Sequence, residues 1–322
     1  MQDTRSNDQD VTHTVCVSSP LEVRAAVRTL FSATWPTASF TPIARAFLDL
    51  EAAFAGKLAG YRGLDTVYHD QQHTLEVTLA MARLLAGYEK VHAGTAQALG
   101  PDRGSVGLVL ALFHDIGYLR EEGEEAVNGA EYTRNHVSRG ARFLDRYLPT
   151  IGFGDWAAVT REIIHYTGYE KPFAQIATRV VNPLDIQLGH LVGTADMIAQ
   201  MADRYYLEKC RDRLYPEFVL GGVALPIGGS HPSVRYASGL DLLRQTPLFM
   251  EETRRVRLED GFKQAYKYLE PLFGGRNPYM EAIESNLQFL KQVLRTENWR
   301  RLQQFPQPRA EPPEVMGTVR NL

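Results

Sequence analysis

The chain has 322 residues, 44% of them hydrophobic and 23% charged, the balance of a globular protein with a sizeable core. Its formal net charge of −3 supplies no global basic field for nucleic acid or an anionic membrane. No stretch approaches the roughly 20 apolar residues that cross a bilayer, the polar start MQDTRSNDQD lacks the apolar run of a secretion signal, and the two cysteines, Cys16 and Cys210, make no disulfide framework. A reducing cytoplasm is the expected compartment, with neither membrane nor nucleic acid as partner.

Residues 1–20 are polar and aperiodic and read as a disordered tail; the proline-rich stretch 303–322 reads the same way. Between them helical spacing dominates and strand alternation is almost absent, which predicts one all-α domain over 21–302 with a C-terminal helical extension. The first helix is expected from Leu21 to about Ser32. The second opens at Thr41-Pro42, an N-cap followed by a proline, and is expected to stop near Gly60. The third starts around Asp70 and carries Leu75, Leu79, Ala82 and Leu85 at helical spacing. The fourth, SVGLVLALFHDIGYL, is apolar nearly all round and therefore expected at the centre. A fifth helix is expected over 129–149, a sixth over 155–168 and a seventh over 186–210. ALPIGGSHPS reads as a loop, and 233–257 and 277–302 read as long closing helices.

His114 and Asp115 lie in the most apolar of these helices. Burying an imidazole and a carboxylate costs several kcal/mol unless they are paired or hold a cation. Neighbouring helical residues point about 100° apart, so the two are placed to converge on an ion between them rather than on each other. His69 and His73 are four apart at the start of the third helix, on one face. His136, His165 and Asp196 follow, each amid apolar neighbours. Taken singly, His136 reads as a core or solvent-facing residue, and His165 reads equally as that or as a ligand. His190 falls on a different face from Asp196, and Asp185 reads as a helix cap.

The order His73, His114-Asp115, His136, His165, Asp196 resembles the ligand order of the binuclear branch of the HD superfamily of metal-dependent phosphohydrolases. The likeness spans roughly residues 64–215. YHDQQHTLEV resembles the superfamily's opening motif, LALFHDIGYL its core motif, and HVSRGARFL an HD-GYP segment. The resemblance implies an HD-type helical bundle. It implies two divalent ions (manganese, iron, zinc, cobalt, nickel or magnesium) bridged by Asp115. His73, His114 and Asp196 would complete one site, and His136 and His165 the other. It further implies a small phosphorylated, nucleotide-like substrate attacked by a metal-activated water. His69 matches the general acid of cyclic-nucleotide phosphodiesterases, an imidazole suited to protonating a leaving oxygen near neutral pH.

The chain also departs from these patterns. Tyr118 stands where the cyclic-nucleotide enzymes have a histidine and where HD-GYP and inositol-oxygenase-like enzymes have a lysine. His165 is followed by Tyr166 rather than a second histidine, and GYEKP only loosely echoes the GYP motif, so a cyclic-di-GMP substrate is poorly supported. Tyr118, Arg120, Gln200, Arg204 and Lys209 are the expected substrate contacts; Arg213 reads as part of a solvated helix face, its charge partnered by Glu208 and Asp212. Two alternatives share the ligand order: a mixed-valent di-iron oxygenase, and a non-catalytic sensing module. The helices after Pro226 read either as a cover for the pocket or as a homodimer surface.

Overall fold

A computed structural model describes residues 8–224 and 235–302. Among them the fold is all-α: there is no strand, and only two isolated bridges, Gln9 with Cys16 and Tyr61 with Glu121. The helices are α1 Pro20–Thr34, α2 Thr41–Phe54, α3 Gln71–His92, α4 Gly100–Phe113, α5 His136–Tyr147, α6 Ala157–Ile163, α7 Phe173–Arg179, α8 Pro183–Ala202, α9 Tyr206–Lys209, α10 Tyr215–Leu220, α11 Gly239–Glu252 and α12 Pro278–Thr296. Several starts are written in the sequence as a capping residue followed by proline: Ser19-Pro20, Asn182-Pro183 and Asn277-Pro278 each place a side-chain oxygen on a free amide of the first turn.

The centre is built from α3, α4 and α8, which pack on one another. From Gly104 to Phe113 every residue of α4 is buried, and α3 and α8 are buried over most of their length. A helix apolar all round can only lie inside. α1 and the 3₁₀ turn Ala265–Leu272 cover α3, while α12 covers α8. Gly87 permits one of these approaches: a Cβ there would sit 1.6 Å from the Tyr268 carbonyl oxygen. A single hydrophobic cluster reaches from Val17 to Leu302.

Several expectations need correction. Residues 8–19 are folded rather than a tail. The Asp10 carboxylate accepts the amides of Thr12, Thr14 and Val15 and meets the buried Arg83 guanidinium at 2.6 Å, and Val17 is fully buried. One carboxylate thus organises a polar stretch that has no periodicity of its own. α2 stops at Phe54, short of the expected Gly60. Residues 129–132 form a 3₁₀ turn, so α5 begins only at His136. The predicted seventh helix breaks at Asp203 and resumes as α9, a π-turn at Cys210–Leu214 and α10. The first closing helix likewise runs into a π-turn, Thr253–Gly261. α7 was not expected. Residues 1–7, 225–234, where a loop is expected, and 303–322, where a tail is expected, lie outside the described residues.

Candidate metal centre

The three central helices each deliver a donor to one buried point. His73 lies in the first turn of α3, where its amide donates to the capping carboxylate of Asp70 at 2.9 Å. His114 caps the C-terminal end of α4, with Nδ1 2.8 Å from the Ala111 carbonyl oxygen. That bond fixes the proton on Nδ1 and turns Nε2 inward. Asp196 comes from α8. His73 Nε2 and His114 Nε2 are 3.3 Å apart and lie 3.6 and 3.8 Å from Asp196 Oδ1. The donor atoms of all three residues fall within 4.8 Å of one another.

Asp115 departs from the expected helical geometry. The helix ends at His114, and Asp115 turns out of it with φ −102° and ψ 7°. Its carboxylate therefore swings back to its neighbour. Oδ2 lies 3.0 Å from His114 Nε2 and 3.5 Å from His73 Nε2, yet makes no hydrogen bond although it is buried. Oδ1 faces the other way, 3.6 Å from His136 Nε2. His136 is the first residue of α5, with Nδ1 held by the Thr133 carbonyl oxygen at 2.9 Å. Gly117 makes this approach possible, since a Cβ there would sit 1.8 Å from the His136 carbonyl oxygen. One carboxylate thus shows one oxygen to the His73–His114 pair and the other to His136. His165, on the 3₁₀ turn Ile164–Thr167, is also buried. Its Nδ1 has no hydrogen-bond partner, and Glu170 Oε2 stands 3.9 Å away.

The electrostatics divide the centre. Burial pushes the His73 pKa down, but Asp115 and Asp196 outweigh it and raise it to about 10. Burial opposes the charge on His114 too, and Asp115 again prevails, raising it. For Asp115 burial favours the neutral acid, but His114 and His69 hold the carboxyl well below the usual range. Burial lowers His136, across Asp115 from that pair, and burial with the Lys171 charge lowers His165, which forms no donor group with Asp115 and His136 among the described residues, to about 4. Two buried carboxylates therefore draw positive charge onto one half, where a divalent cation would compete with protons for the same nitrogens. His136 and His165 are thus neutral imidazoles, the form that binds metal.

His69 reaches the centre by a different route from the one expected. It precedes α3, because Asp70 is the cap. Its ring stacks on Tyr118 at 4.4 Å, and Tyr118 stacks on His136 at 4.4 Å. His69 Nδ1 is in close contact with Glu217 Oε1 from α10, while Glu217 Oε2 accepts the Tyr68 amide at 2.9 Å. Burial works against charge on His69, but Glu217 and Asp115 outweigh it and raise its pKa.

No family model, curated protein or solved structure matches the chain. What the centre can hold is therefore set by its own atoms. Nitrogen and carboxylate donors without thiolate suit manganese, iron, zinc, cobalt or nickel. The buried, unbonded Asp115 Oδ2 and His165 Nδ1 are the atoms that a cation or an orienting partner would satisfy.

The expected substrate contacts are placed less favourably. Tyr118 is buried between two imidazoles and forms a wall of the site. Arg120 is tied to Asp65 at 2.5 Å and to the Ala126 carbonyl oxygen at 2.9 Å. Lys209 is buried against Asp203. Arg204 stacks over Tyr205 at 5.0 Å and lines a separate cavity with Glu76, Asp203 and Tyr279. Gln200 is held at the edge, accepting from the Tyr68 hydroxyl at 3.1 Å. Arg213 is not on a solvated face: it is buried and donates to Asp70 Oδ2 at 3.0 Å and the Val67 carbonyl oxygen at 3.1 Å. His190 packs against Tyr166 and Phe262, away from the centre. Asp185 pairs with Arg103, the cap being Asn182. Sequence reasoning missed Glu217 and Glu170. Glu217 has a signal, an acid in the apolar frame YPEFV, which points to a partner without naming it; Glu170, followed by Lys171 in GYEKP, has none.

Proposed function

We propose that this chain is a metal-dependent phosphohydrolase acting on a small phosphoester of nucleotide-like type. The observation that carries the proposal is Asp115, a buried residue whose two carboxylate oxygens face separate imidazole groups at 3.0–3.6 Å. His73, His114 and Asp196 with Asp115 Oδ2 would hold one divalent ion; His136 and His165 with Asp115 Oδ1 would hold a second. The ions would supply a water of lowered pKa for attack on phosphorus and offset the charge that develops there. The motif resemblance to the HD superfamily supports the same reading.

The remaining chemistry belongs to the chain's own side chains. With Nδ1 against Glu217, His69 keeps its proton and presents Nε2 as donor to the departing oxygen. Tyr118 fixes the plane of that ring by stacking. Tyr68, whose hydroxyl donates to Gln200, packs edge-on against the same ring. A held proton donor favours hydrolysis over the di-iron oxygenase reading, which shares the donor order but has no leaving oxygen to protonate.

The test is turnover of a phosphodiester, such as bis-p-nitrophenyl phosphate, by manganese-loaded protein. Hydrolysis that depends on the metal and disappears in His114→Ala is expected. Metal-loaded wild type that cleaves no phosphoester, or a His114→Ala variant as active as wild type, would overturn the proposal.

A further inference from the structure

α5 starts at His136, but Asn135, its capping residue, makes no side-chain bond to the helix. A carboxylate from much later in the chain takes that role. Glu170 accepts the amide of Val137 at 2.8 Å, the amide of Ser138 at 3.1 Å and the Ser138 hydroxyl. The same carboxylate stands 3.9 Å from the unpartnered, buried Nδ1 of His165. Its loop is held firmly against α5. A Cβ on Gly168 would sit 2.5 Å from Val137 Cγ2, and Arg257 donates to the carbonyl oxygens of Tyr166 at 2.6 Å and Gly168 at 2.9 Å.

A local cap would have satisfied the helix at lower cost in loop ordering, because asparagine is among the preferred capping residues. What the remote carboxylate adds is a link between the first turn of the helix that carries His136 and the buried imidazole of His165. It fixes His136 through the first turn of α5 and faces the second ring nitrogen of His165. Imidazole ligands commonly direct that second nitrogen to a carboxylate, which sets ring orientation and raises basicity. A gap of 3.9 Å is within the reach of a single bridging water. We propose that Glu170 is the positioning residue for the cation that His136 and His165 would share, and that it sets the affinity of that half alone. The proposal rests on the two-cation reading of the centre.

Manganese titration of the full chain, by calorimetry and electron paramagnetic resonance, tests it. Wild type is expected to bind two ions with a coupled spectrum. Glu170→Gln is expected to bind the second ion about 10–100-fold more weakly, leave the first unchanged and show the spectrum of a single ion. Glu170→Asp, which keeps the charge, should recover part of the loss, and it carries the test if the glutamine variant does not fold. Ser138→Ala removes one capping contact and should leave both affinities unchanged. Two equally tight ions in Glu170→Gln, or equal weakening of both, would overturn the proposal while leaving the two-cation reading intact. Wild type that binds fewer than two ions would overturn that reading, and the proposal with it.

Discussion

Glu217→Gln isolates the charge behind the proposed proton donor, His69. Gln keeps the shape and can still accept the Tyr68 amide, so the segment 67–70 stays in place. What is lost is the negative charge in contact with His69 Nδ1. A charge-assisted hydrogen bond exceeds a neutral one by about 1–1.5 kcal/mol, close to one pKa unit. Glu217 raises the His69 pKa, so its removal lowers it. The protonated ring is the donor, and its population falls as pH rises through that pKa. The alkaline limb of kcat should therefore move about one unit towards lower pH. The assay is the pH–rate profile of the manganese-loaded variant on an alkyl phosphodiester and on bis-p-nitrophenyl phosphate. Nitrophenolate leaves without a proton, so its cleavage should change little. An unshifted profile on the alkyl substrate, or equal losses on both, would refute the assignment of His69 as a donor set by Glu217.

Arg83 and the surrounding donors overcome the burial of Asp10 and lower its pKa from 3.8 to about 2. The pair should thus contribute about 2 kcal/mol above pH 4, lost as pH falls through about 2; chemical denaturation of Asp10→Asn should show that deficit at pH 7 and a shrinking one towards pH 2, and a pH-independent difference would contradict it. Lys209→Met leaves Asp203 buried without its cation and should cost about 3–5 kcal/mol with KM unchanged. A raised KM at full stability would return Lys209 to the substrate site.

Part of the candidate centre was legible because the proposed ligands are polar atoms held inside an apolar frame. His114-Asp115 stood out in LALFHDIGYL, and the structure brings His73 and Asp196 to the same point as His114, with His136 across the Asp115 carboxylate. Helix placement followed from periodicity and from cap-proline pairs. The misses have a common cause. Whether a charge meets another charge or a ligand depends on contacts distant in sequence. Lys209 and Arg120, expected to face phosphate, are held by Asp203 and Asp65; Arg213, read as solvated, is buried on Asp70. Glu217 and Glu170 act 148 and 33 residues from the amides and imidazoles they hold, and no local pattern encodes those separations. Helix breaks at Asp203 and before His136 were missed because the apolar spacing continues through them.

Metal analysis of the purified, reloaded chain decides whether Asp115 joins two cation sites, as proposed. Two equivalents of a divalent transition metal per chain, falling to one or none in Asp115→Ala, are predicted. A chain that takes up no metal, or an Asp115→Ala variant that still holds two, would contradict the account.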